Sequence, residues 1–102
     1  MAAVSLDHGL ILAGLLFAIG FAGLLTRRNV IVVLACIEIM LNASGLAFVV
    51  AGARWGRADG QVMFLFVLAM AAAEVAVGLA IAIRFRQTTG RLDVDSADEL
   101  KG

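Results

Sequence analysis

Three long apolar segments, separated by short polar ones, dominate the hydrophobic pattern of the chain. They cover roughly residues 9–25, 30–53 and 61–83, and the polar positions gather between and after them. An apolar stretch of about 18 residues or more can cross a bilayer as a helix. The pattern therefore predicts an all-α integral membrane protein with three antiparallel transmembrane helices, followed by a polar tail over residues 84–102.

The composition agrees with this class. Of the 102 residues, 63% are hydrophobic and 16% are charged, and the mean hydropathy is +1.03. Soluble domains are closer to a quarter charged. We expect a single membrane domain over residues 1–102, with the first segment retained as a span and not cleaved as a signal peptide, because no basic leader precedes it.

Two glutamates, Glu38 and Glu74, each lie alone in an apolar segment. No other charge occurs from residue 29 to residue 53 around Glu38, or from residue 60 to residue 83 around Glu74. Carboxyl groups within membrane spans are costly and tend to mark ion pathways. We therefore predict that both acids handle protons. The alternative is that each is a neutral, protonated acid that joins helices through a hydrogen bond.

Three polar residues form a candidate supporting set. Asn42 follows Glu38 by one helical turn on the same face, where it can bond to the carboxyl group or to a shared water. Arg27 and Arg28 form a basic turn between the first two spans. They either fix the topology of the chain or contact a partner and influence a nearby protonation.

The distribution of arginines predicts the orientation of the chain. The first turn and the tail carry five arginines near the membrane, whereas the second turn carries two arginines and an aspartate. The positive-inside rule places the first turn and the C-terminus in the cytoplasm and the N-terminus outside. Glu38 and Glu74 then lie ~12–14 Å below the cytoplasmic ends of their spans. This matched depth allows direct contact or two steps of one lateral path.

Several classes of site are missing from the sequence. Cys36 is the only cysteine and His8 the only histidine, which excludes an intramolecular disulfide and a multi-cysteine metal or iron–sulfur site. No nucleotide-binding loop, nucleophilic set or nucleic-acid-binding patch is present. We expect no cofactor and no metal in this chain, and no nucleic-acid partner. Trp55 beside the second span is typical of a membrane–water interface, where it contacts lipid.

The tail leaves two structures open. Leu92 and Val94 alternate with acidic residues, a pattern that permits a short strand docked against a partner. A disordered segment is equally compatible with this polar composition.

Four short stretches occur in a specific order and spacing. They are Arg27-Arg28-Asn29, Ile37-Glu38-Ile39-Met40-Leu41-Asn42, Asp59-Gly60-Gln61-Val62, and Ala71-Ala72-Ala73-Glu74 followed by Gly78-Leu79-Ala80. Together they resemble the subunit K family of proton-pumping NADH:quinone oxidoreductases (respiratory complex I), the bacterial counterpart of the mitochondrial 4L subunit. The resemblance spans essentially the whole chain.

The resemblance implies a non-redox subunit of an enzyme complex in the bacterial inner membrane, and not a homo-oligomer. Glu38 and Glu74 would match the family's two intramembrane glutamates, on a hydrophilic axis between the quinone-reaction end and the antiporter-like pumping subunits. Arg27 and Arg28 would match its basic cytoplasmic turn. The implied partners resemble subunits A, J and N. NADH, FMN, iron–sulfur clusters and quinone would belong to partner subunits.

Four other kinds of membrane protein share parts of this pattern. The nearest alternative is the homologous small subunit of a multisubunit cation/proton antiporter, which has the same layout. A homodimeric drug/proton exporter usually has four spans and one essential acid, and a rotor-ring subunit has two spans and one acid. A purely structural assembly protein would not explain two acids at one depth.

Overall fold

A computed structural model describes residues 5–95, and three α-helices make up most of this range. The helices are α1 (Leu6–Thr26), α2 (Val30–Arg54) and α3 (Asp59–Thr89). All three are long and apolar enough to cross a membrane. The prediction of an all-helical chain with three such helices is confirmed.

Local chemistry sets the ends of the helices. The Asn29 side-chain oxygen accepts a hydrogen bond from the Ile31 backbone N–H at 2.9 Å and so caps the start of α2. Helix α3 ends at Gly90, whose φ of 74° is left-handed and whose N–H donates to the Arg86 carbonyl. No proline or glycine interrupts residues 84–89, so this first part of the predicted polar tail continues α3 as helix.

Helix α2 lies between the other two helices and packs against both. On the α1 side, the Val50 side chain lies against Gly9 and the Cys36 side chain lies against Gly23. The start of α1 therefore meets the end of α2, which makes the two helices antiparallel neighbours.

On its other side α2 packs against α3 in the same antiparallel sense. Leu34 near the start of α2 lies against Gly78 in the second half of α3. Further along α2, Gly45 lies against the ring of Phe64 in the first part of α3. Small residues let neighbouring membrane helices approach closely.

The backbones of α2 and α3 come closest near Gly60. A Cβ atom at Gly60 would overlap the carbonyl oxygen of Phe48 and would lie 3.0 Å from the Cα atom of Gly52. Position 60 therefore has no room for a side chain, and the contact fixes one end of the α2–α3 pair.

Much of the apolar surface of the three helices faces outward. The most apolar stretch of α3 is only 6% buried, against 17% in α1 and in α2. Helices that are apolar on all sides are typical of membrane spans. Among the three, α3 leaves the largest share of its span for lipid or for another protein to cover.

After α3 the chain turns back and pairs with the turn between α1 and α2. The Val30 N–H donates to the Leu92 carbonyl at 2.8 Å, and the Val94 N–H donates to the Arg28 carbonyl at 2.9 Å. The sequence left this segment either as a strand docked against a partner or as a disordered segment. The structure shows it docked, on the chain's own first turn. The last acids of the tail, within residues 96–102, lie outside the described residues.

We expect Gly60→Ala to destabilise the chain, because overpacking of this kind costs about 1–3 kcal/mol. Gly14→Ala is the matched control, since no side chain and no backbone of another described segment lies within 4 Å of a Cβ atom at that position. The measurement is the unfolding temperature of the chain in detergent. Equal unfolding temperatures for the two variants would contradict the close approach of α2 and α3.

Candidate functional site

Glu38 and Glu74 lie on neighbouring antiparallel helices and are level with each other. The reference point is the contact between Leu34 of α2 and Gly78 of α3. Glu38 follows Leu34 by four residues, and Glu74 precedes Gly78 by four residues. Because the helices run in opposite directions, both steps move about 6 Å the same way along the pair.

The Glu38 carboxyl group lies on the side of α2 that faces α3. Leu34, one turn before it, and Gly45, two turns after it, both contact α3. The residue as a whole is half-buried, and its Oε1 oxygen is buried without a hydrogen-bond partner among residues 5–95. An unpaired buried oxygen of this kind is uncommon in native structures.

Glu74 has a different environment at the same level. Its side chain is exposed on α3 and borders an open groove of about 430 Å³ along the seam between α2 and α3. The other residues that line this groove are nonpolar: Leu34, Ile37, Ala73, Val77, Gly78 and Ile81. Of the two acids, Glu38 lies within the helix pair and Glu74 lies at its edge.

The acids are not joined to each other in the part of the chain that the structure describes. Neither carboxyl group makes a hydrogen bond or an ion pair there, and neither does the Asn42 side chain. Asn42 is exposed, one turn beyond Glu38. The direct bond from Asn42 to Glu38 that the helical spacing allows is therefore not formed.

The two arginines of the first turn have different surroundings. The Arg28 Nη1 atom donates to both carboxylate oxygens of Asp95, at 2.6 and 2.8 Å, and both side chains are exposed. Arg27 is exposed and has no ion-pair partner among residues 5–95. Glu38 lies eight residues into α2, about 12 Å from its start, so neither arginine lies at its level.

Asp95 is a residue that the sequence-based prediction did not single out. The alternation of acids with Leu92 and Val94 indicated a segment able to dock, but it gave no means of choosing a partner. The ion pair joins residues 67 positions apart, a separation at which sequence spacing carries no information.

The chemistry available to this site is that of two carboxyl groups in apolar surroundings. Among residues 5–95 no group of three or more His, Cys, Asp and Glu side chains could hold a metal ion. A carboxyl group can give a proton to a neighbouring group and take one from it, which is the chemistry that a proton path requires.

Comparison with known proteins identifies similar chains over nearly the whole length. A sequence model of the family described as NADH-ubiquinone/plastoquinone oxidoreductase chain 4L matches residues 8–102. The chain is 60% identical over 99 residues to NADH-quinone oxidoreductase subunit K of Psychrobacter cryohalolentis, covering 97% of this chain and 73% of that protein. It is 56% identical to the protein of that name from Nitrosospira multiformis and 53% identical to that from Pseudomonas fluorescens, each over 100% of both chains.

Proposed function

The chain belongs to the NADH-ubiquinone/plastoquinone oxidoreductase chain 4L family, and we propose that Glu38 and Glu74 relay protons, or changes in charge, through the membrane part of the oxidoreductase complex. The chain itself is a non-redox subunit in this proposal. Its relatives described above carry the oxidoreductase name, which favours this function over the cation/proton antiporter.

The observation that carries the proposal is the level placement of the two acids, together with the Oε1 oxygen of Glu38, which is buried and makes no hydrogen bond within residues 5–95. A glutamate whose only role is to join helices would be expected to use its carboxyl group in a hydrogen bond. A buried polar group without a partner costs about 1–3 kcal/mol. A protein can tolerate this cost at a carboxyl group that must exchange a proton during turnover.

The position of Glu74 supports the presence of a neighbouring subunit on α3. A charged side chain facing hydrocarbon at the centre of a span costs roughly 2.5–3.5 kcal/mol. Glu74 is exposed on the helix whose span is least buried within the chain. We infer that a subunit resembling A, J or N covers this face and continues the path from Glu74.

The redox chemistry belongs elsewhere in the complex under this proposal. NADH, FMN, iron–sulfur clusters and quinone are assigned to partner subunits. We place the chain in the bacterial inner membrane, with the first turn and the C-terminus in the cytoplasm and the N-terminus outside. The excess of arginine at that end of the helices supports this orientation.

We expect Glu38→Gln and Glu74→Gln each to lower quinone-coupled proton pumping about tenfold, because an amide cannot exchange a proton in this way. Native gels should show that the complex still assembles. Asp59→Asn is the matched control, since Asp59 lies in an exposed ion pair with Arg57. Normal pumping by both glutamate variants would exclude the relay at these positions.

A second series separates proton carriage from exact geometry at Glu38. Glu38→Asp keeps a carboxyl group on a shorter side chain, whereas Glu38→Ala removes it. We expect the aspartate variant to pump faster than the alanine variant in the assembled complex. Equal losses in the two variants would show that pumping depends on the exact position of the carboxyl group and not on its presence alone.

The orientation is tested by labelling single cysteines with a membrane-impermeant thiol reagent. We expect Thr88→Cys to react only from the cytoplasmic side and Ala58→Cys only from the outer side, since both positions are exposed at opposite ends of α3. The native Cys36 is buried. Labelling from the reverse sides would overturn the assigned topology.

A further inference from the structure

We propose that residues 92–95 form a clasp that holds the start of α2 against the end of α3 and so fixes the relative placement of Glu38 and Glu74. This inference rests on the proposed function only in its last part, the consequence for the two acids. The clasp itself rests on four observations: a hydrogen-bonded turn after α3, backbone pairing, an apolar side chain beside both helices, and an ion pair.

The turn that leads into the clasp has its own hydrogen bonds. Gly90 adopts a left-handed conformation and its N–H donates to the Arg86 carbonyl at 2.7 Å. Next to it, the Thr89 hydroxyl donates to the Phe85 carbonyl and accepts from the Arg91 N–H at 3.2 Å. The chain therefore leaves α3 in a defined direction, back toward the start of α2.

Backbone hydrogen bonds then join the clasp to the first turn. The bonds from Val30 to Leu92 and from Val94 to Arg28 flank an isolated antiparallel bridge in which Asn29 is opposite Asp93. Because those bonds belong to the residues on either side, Asn29 and Asp93 form a non-hydrogen-bonded pair. In such pairs the Cα atoms are about 4.5 Å apart and the side chains are close.

Leu92 lies beside apolar residues of both helices. It is half-buried and borders a small cavity of about 80 Å³. The cavity is lined by residues from both helices: Ile31 of α2, and Leu79, Ala82, Ile83 and Arg86 of α3. Ala82 is only 1% exposed, so this end of the helix pair is closely packed under the clasp.

The Arg28–Asp95 ion pair completes the clasp on its outer side. Both partners are more than half exposed, so the pair contributes little to stability by itself. The Asp95 N–H donates to the Asp93 side chain at 2.9 Å, which orients the last residues of the clasp. The ion pair therefore favours the docked position of the segment over undocked ones.

Two contacts hold the α2–α3 pair near its opposite ends. One is the close approach of Gly52 and Gly60, and the other is the clasp. Glu38 lies eight residues from the clasped start of α2 and fourteen from Gly52. Because a helix transmits a displacement of its end along its axis, undocking the clasp would change the level of Glu38 relative to Glu74.

Cross-linking in membranes that hold the whole complex tests the clasp. The chain carries Asn29→Cys with Asp93→Cys, and the distance between paired residues suits a disulfide. On mild oxidation we expect most copies to form the intramolecular cross-link without turnover of the enzyme. A complex in which no cross-link forms would overturn the clasp.

Charge reversal tests the ion pair in the same background. We expect Arg28→Glu to slow cross-linking about threefold, the scale of one exposed ion pair. Adding Asp95→Arg should restore the rate. Arg27→Glu changes the charge of the turn equally but breaks no described ion pair, so it is the control. Equal slowing by both reversals, or no recovery in the double reversal, would exclude Arg28–Asp95 from the clasp.

Rescue tests the consequence for Glu38 and Glu74. We expect Asp95→Arg to lower proton pumping about threefold by weakening the clasp. With Asn29→Cys and Asp93→Cys also present, oxidation should restore pumping, and the reduced form of the same complex is the control. A closed cross-link without recovery would overturn the positioning role. Normal pumping by Glu38→Gln and Glu74→Gln would instead overturn the proposed function, and the cross-linking result would stand.

Discussion

In a bilayer, apolar helices gain little from hiding their side chains against each other, because lipid tails are as apolar as leucine. Their association depends on close van der Waals contact, and here small residues provide it. Gly9 and Gly23 receive side chains of α2 on one side, and Gly78 receives Leu34 on the other. At Gly60 the contact is between backbones. These contacts set the register of α2, on which the level placement of the two glutamates depends, and the proposed clasp of residues 92–95 holds that register at the start of α2.

The two glutamates have different relations to the chain that holds them. Glu38 lies within the α2–α3 pair and has a buried oxygen without a hydrogen-bond partner in residues 5–95, whereas Glu74 borders an open apolar groove. The chain thus supplies most of the surroundings of Glu38 but only part of those of Glu74. Under the proposed function, the packing of these helices can control the first acid, and a neighbouring subunit supplies the surroundings that control the second.

The sequence was sufficient for features that depend on local composition. Long apolar segments predict the three helices, and counting residues on antiparallel spans predicts that Glu38 and Glu74 are level. It could not predict which sides of the helices pack together, because a helix that is apolar on all sides has no distinct core face. The alternation of Leu92 and Val94 with acids indicated a segment able to dock, but it did not identify the first turn as the partner, because backbone hydrogen bonds can form with any exposed backbone. The direct bond from Asn42 to Glu38 is absent for a related reason, because helical spacing permits a contact without requiring it.

The exposure of Glu74 has a consequence for how the chain persists in a cell. A copy without its neighbour presents a carboxyl group at the outer surface of its least-buried helix, where local deformation of the bilayer must offset the cost. A neighbour that covers this surface removes the cost, and binding of that neighbour stabilises the inserted chain by mass action. Under the proposed function, the abundance of this small subunit is tied to the supply of its neighbour, and Glu74 serves both the working complex and the order of its assembly.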